Sequence, residues 1–168
     1  MTWSENELAS LAAKAARGAG APPAQAAMFG LAATRHLAAD RPVDDLLKAL
    51  SALPEGPIIS LPLALMRVLA EADGSGELHC RIDTGEMPDL AQSYVQTLQC
   101  RVSDLRHEGE TLWLRVDARH PAPRCPPRRV EVPDGLLEQL KSLAERTLVP
   151  ESEASRLAGA GAGLTDND

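Results

Sequence analysis

Apolar positions recur at helical spacing from the start of the chain, where Leu8, Leu11, Ala12 and Ala15 form one narrow stripe. Thr2 and Ser4 each stand three residues before a glutamate, Glu5 and Glu7, the arrangement in which hydroxyl and carboxylate cap a first turn reciprocally. Gly18 and Gly20 end this helix, because glycine adopts the left-handed conformation of a C-terminus at low cost. The Pro22-Pro23 pair predicts the start of a second helix, with Ala24, Ala27, Met28 and Leu31 as its inner face. Asp40 and Pro42 separate it from a third helix carrying Val43, Leu46, Leu47 and Leu50, ended by Pro54 and Gly56. Leu65, Val68, Leu69 and Ala72 fit a fourth helix after Pro62, while residues 58–61 are also compatible with the start of a strand.

The period changes after the Gly74-Ser75-Gly76 turn. Leu78, Cys80 and Ile82 alternate with His79, Arg81 and Asp83, the pattern of a half-buried strand. The same alternation returns in Leu98, Cys100 and Val102, and again in Leu112, Leu114 and Val116, with Glu108-Gly109-Glu110 as the hairpin loop between these two runs. Val130 and Val132 predict a short strand after a proline-rich crossing. Asp134 then caps a last helix that turns Leu137, Leu140, Leu143 and Ala144 inward. The order is an N-terminal helical region followed by an antiparallel sheet and a C-terminal helix, which makes the class α+β. Residues 1–158 are expected to form one domain, and residues 159–168 a Gly/Ala-rich acidic tail.

Composition narrows the function more than the fold. With 44% hydrophobic and 24% charged residues, the 168-residue chain has an ordinary globular make-up. Trp3, Phe29, Tyr94 and Trp113 are its only aromatics, so Leu, Val and Ala must fill the core. So few rings, together with a net charge of −7, argue against nucleic acid as a partner. No export signal and no membrane-length apolar run is visible; the longest, residues 57–66, contains two prolines. Cys80, Cys100 and Cys125 are odd in number and widely spaced, which predicts reduced thiols and a cytoplasmic location.

Three stretches could carry chemistry. Residues 155–168 (SRLAGAGAGLTDND) place glycines at alternate positions and end on Asp166, Asp168 and the terminal carboxylate. Such an end is either a solvated terminus, as most are, or a strip that seats its carboxylates on a basic surface or a hard cation. Residues 14–20 (KAARGAG) put Lys14 and Arg17 one turn apart at a helix exit. They complement the helix dipole and also suit an anion, but no strand precedes them and no Gly-Lys-Ser/Thr follows, so they are not a phosphate loop. Residues 119–129 hold four arginines among prolines, a stiff exposed connection. His and Cys never fall into a close paired spacing, and no nucleophile motif occurs, so no metal, cofactor or catalytic residue is assigned.

The two ends of the chain also resemble a family. Residues 14–20 (KAARGAG) are similar to the opening motif, and residues 149–156 (VPESEASR) with the GAGAG and TDND that follow to the ending, of a proteobacterial family known only as a domain of unknown function. The family carries an aromatic-glycine pair and two adjacent glutamates after its first motif, whereas this chain reads Ala21-Pro22-Pro23-Ala24-Gln25-Ala26-Ala27 there. The resemblance implies a bacterial protein and no particular activity. It also brings a docked tail level with a solvated one.

The resulting expectation is a non-catalytic accessory or ligand-binding protein, with Lys14, Arg17 and Arg156 receiving Asp166 and Asp168. The alternatives are a small enzyme whose tail closes a carboxylate or metal site, and a structural homodimer joined through the alanine-rich second helix. A protein partner or self-association is expected; a membrane is not.

Overall fold

The computed structural model describes residues 2–71, 76–123, 126 and 128–147. Strand β1 (Thr2–Ser4) leads directly into helix α1 (Glu5–Gly18), and Ser4 is the cap. The Glu7 backbone N–H donates to Ser4 Oγ at 3.3 Å while the Ser4 N–H donates to Glu7 Oε2 at 2.9 Å, so both orphan donors are satisfied. Helices α2 (Pro23–Ala38), α3 (Val43–Ser51) and α4 (Pro57–Glu71) follow. Strand β2 (Glu77–Asp83), helix α5 (Pro88–Val95) and strands β3 (Cys100–Glu108) and β4 (Thr111–Pro121) come next. Strand β5 (Arg129–Glu131) and helix α6 (Asp134–Glu145) complete the described chain.

The fold is α+β, as the change of period indicates. Strands β2, β4 and β3 form an antiparallel sheet in that order, and β1 pairs antiparallel with β5, Trp3 opposite Val130. Leu112, Leu114 and Val116 of β4 turn inward with Cys80 and Ile82 of β2, beneath α4 and α5. Phe29 and Tyr94 are the bulkiest fully buried side chains of the helices, and Leu8, Leu46, Ile58 and Leu140 are buried in the same core. α1 lies between α2 and α6. It approaches α2 closely because Gly30 has no side chain: a β-carbon there would fall 2.3 Å from the Ala9 carbonyl oxygen.

Several expectations are corrected. The predicted inner face of α2 is its outer one: Ala24 and Ala27 are exposed, Leu31 is 51% exposed and Met28 is partly covered. Ala26, Phe29, Ala33 and Leu37 point inward instead. This helix is apolar around most of its circumference, so periodicity alone does not choose a face; the large Phe29 ring does. Residues 58–61 are helical, with Pro62 inside α4. Pro133 rather than Asp134 occupies the cap of α6, and Asp134 is in the first turn. Helix α5 and strand β1 were not expected. The turn at 74–75, Ala72, and the tail lie outside the described residues. No helix among the described residues is long and apolar enough to cross a membrane.

Candidate functional site

The short β1–β5 pairing brings the two ends of the described chain together. Arg129 Nη2 donates to the Thr2 carbonyl oxygen at 2.8 Å and its Nε to Thr2 Oγ1 at 3.2 Å. Its neighbour Arg128 thereby reaches Glu5, the first residue of α1, with Nε 3.6 Å from Oε1. Arg35, in the last turn of α2, meets the same oxygen at 3.3 Å through Nη1. Two guanidinium groups therefore share one carboxylate, leaving an excess positive charge.

That cluster edges an open groove of about 630 Å³, within the range of roughly 300–1,000 Å³ usual for small-molecule sites. Arg35 and Arg128 line it together with the apolar side chains of Val95, Leu98, Val102 and Leu105. Gln96 and Gln99 add amides that can accept or donate. The arrangement can hold a molecule with an apolar body and an anionic end.

Behind the wall formed by α5 lies a buried polar cluster. His36 Nε2 is 2.8 Å from the Pro42 carbonyl oxygen, which only accepts, so Nε2 carries a proton. Nδ1 is 3.0 Å from Ser93 Oγ and accepts the hydroxyl proton in the neutral ring. Arg41 Nη1 donates to Ser93 Oγ at 2.8 Å and to Gln96 Oε1 at 2.9 Å. Burial pushes the His36 pKa below its ordinary value, against the Pro42 hydrogen bond and the charge of Asp45; Arg41 also lowers it. Burial likewise lowers Arg41 and raises Asp45.

This histidine–serine pair does not have the access a catalytic pair needs. Both residues are fully buried, and His36 spends its second nitrogen on a backbone carbonyl. What the cluster does is tie α2 and the start of α3 to α5, fixing Gln96 on the groove wall. Neither the groove nor this cluster was anticipated. A histidine and an arginine flanking the end of an apolar helix were the available signal.

Lys14 and Arg17 stand exposed on α1, with no ion-pair partner among the described residues. Arg156, Asp166 and Asp168 lie outside the described residues. In the arginine-rich connection, Arg128 and Arg129 are engaged as above, and the Arg119 N–H donates to Asp117 Oδ1 at 3.1 Å. Cys80 is buried and donates to the Leu114 carbonyl oxygen, and Cys100 is half-buried. Among the described residues no group of three or more His, Cys, Asp and Glu side chains could hold a metal ion. No protein-family model matches this chain, and no curated protein or solved structure matches it significantly.

Proposed function

We propose that this chain is a non-catalytic accessory or ligand-binding protein, whose groove between α2, α5 and β3 takes a ligand joining an apolar body to an anionic group. The supporting observation is the sharing of Glu5 by Arg35 and Arg128 at the edge of an apolar groove. Burying the ligand's apolar part supplies affinity, and the uncompensated guanidinium charge selects the anionic end. Calorimetric titration with decanoate and with decanol tests this. Decanoate is expected to bind the more tightly, and the double variant Arg35→Gln, Arg128→Gln to erase that preference. Equal binding of both probes to the unaltered protein, or binding of neither, would refute the groove as an anion-selective site.

A second reading concerns the acidic tail. Gly18 at the end of α1 lies against Leu143 of α6 and its C-cap Arg146, so α6 ends beside the turn that bears Lys14 and Arg17. These two cations have no ion-pair partner among the described residues, which favours them as the surface that receives Asp166 and Asp168. Arg156, within the tail, supplies a further cation for the same contact. Truncation after Ala158, compared with Lys14→Glu, Arg17→Glu in low salt, tests it. Both changes are expected to lower the unfolding midpoint or alter a partner interaction; if stability, oligomeric state and interactions all survive truncation, the tail has no docking role.

A further inference from the structure

The β2-β4-β3 sheet has a second face, turned away from the helices. Leu112, Leu114 and Val116 point inward, so the residues between them, Trp113 and Arg115, point outward. Trp113 is 38% exposed. The register sets Arg81 of β2 opposite it on one side and Arg106 of β3 opposite it on the other. Both arginines are exposed, and neither has a carboxylate partner among the described residues. Arg115, in the next row, is different: it is held by Asp104 at 3.2 Å and faces Glu77 at 4.0 Å. An indole thus lies between two unneutralised guanidinium-bearing residues whose backbones stand about 10 Å apart, two strand spacings.

Carboxylates bound this row at both ends. Toward the hairpin, Asp83 and Glu108 flank Thr111; beyond Arg115, Glu77 and Arg101 flank Asp117. A long polyanion crossing the face would meet those acids, and the field of a chain with net charge −7 opposes it as well. A small planar anion fits within the cationic row alone.

We propose that the Arg81–Trp113–Arg106 row binds a nucleoside monophosphate, the base stacking on the Trp113 indole and the phosphate received by one of the flanking arginines. The indole supplies a ring face that any base can stack on, and guanidinium matches phosphate geometry with two parallel hydrogen bonds. The surface is separate from the groove, because Val102 lies on the inner side of β3 opposite Val116 while Arg106 lies on the outer side opposite Trp113.

Titration of the full chain with adenosine 5′-monophosphate, followed by Trp fluorescence and by calorimetry, tests the proposal. Saturable quenching is expected, with adenosine alone and inorganic phosphate alone each binding more weakly. Arg81→Gln, Arg106→Gln is expected to weaken binding roughly tenfold or more, and Trp113→Leu by a similar factor, the scale of one stacked base. Both changes are on the surface, and an unchanged unfolding midpoint verifies the fold. The proposal fails if quenching does not saturate, if either variant binds as the unaltered protein does, or if phosphate alone binds as tightly. Tighter binding of an oligothymidylate or of an acidic peptide would also overturn it, by making the face a surface for another class of partner.

Discussion

Gly18 faces the backbone of Leu143 so closely that a β-carbon on Gly18 would lie 1.8 Å from the Leu143 carbonyl oxygen. The obstacle is backbone, which cannot rotate away as a side chain can, so α1 and α6 would have to separate. Gly18→Ala is therefore expected to destabilise by about 1–3 kcal/mol, although alanine is the better helix former by about 1 kcal/mol. Gly135, in the first turn of α6, has open space where its β-carbon would go. Gly135→Ala is expected to stabilise by roughly 0.5–1 kcal/mol. Urea unfolding of both variants measures the opposite signs.

Tyr94 fills the core without using its hydroxyl. The ring is fully buried, and its oxygen has no hydrogen-bond partner among the described residues. Burial accordingly pushes the phenol far above its ordinary pKa. An unpaired buried hydroxyl costs roughly 1–3 kcal/mol, so Tyr94→Phe, which keeps the ring and removes the burden, is expected to leave stability unchanged or raise it. A loss of more than about 1 kcal/mol in urea unfolding would mean that the hydroxyl has a partner after all.

The Cys80 thiol is expected to be inert in the native protein. Burial, with smaller contributions from Glu71 and Cys100, pushes its pKa up to about 11, so very little thiolate exists near neutral pH. In a Cys100→Ser, Cys125→Ser background, Cys80 is expected to react with a disulfide reagent only at the rate of unfolding. Fast labelling under native conditions would contradict this.

Sequence period revealed the parts of the fold in which apolar and polar residues segregate cleanly. Leu46 and Leu50 in α3, Leu137, Leu140 and Leu143 in α6, and Leu112, Leu114 and Val116 in β4 are all buried as their spacing requires. The buried face of α2 is not marked by period, because alanines surround the helix and only Phe29 and Gly30 distinguish one side. α5 escaped notice because it has eight residues and no side-chain cap, although Leu90, Ala91, Tyr94 and Val95 do share a buried face. The groove was illegible for a different reason. Arg35 reaches Glu5 through the packing of α1 on α2, and Arg128 joins them only because three residues at the N-terminus pair with three at β5, a ladder so short that it carries almost no pattern. Lys14 and Arg17 stand one turn apart at the exit of α1, as their spacing indicates, and both are exposed, but composition says nothing about what they receive.

The buried His36 makes stability depend on pH in a calculable direction. Its folded pKa is lowered, chiefly by burial, while in the unfolded chain it titrates near the usual value of about 6.5. As pH falls through that value, the unfolded state takes up a proton that the folded state accepts only at lower pH, so stability declines until the folded pKa is passed. The contribution is complete above the unfolded pKa. Asp45, raised by burial, acts at lower pH and in the opposite sense, favouring the folded state when protonated. When His36 does become charged, Nδ1 must donate to Ser93 Oγ, and the serine proton turns to the Asp89 carbonyl oxygen 2.7 Å away. Each charge state therefore has its own complete set of hydrogen bonds, so protonation is expected to weaken the core without collapsing it. His36→Gln, whose amide can still donate to the Pro42 carbonyl, is expected to flatten the loss of stability between about pH 7 and pH 5.5. Urea unfolding across that range decides the matter: equal slopes for the variant and the unaltered protein would show that His36 is not the group that titrates.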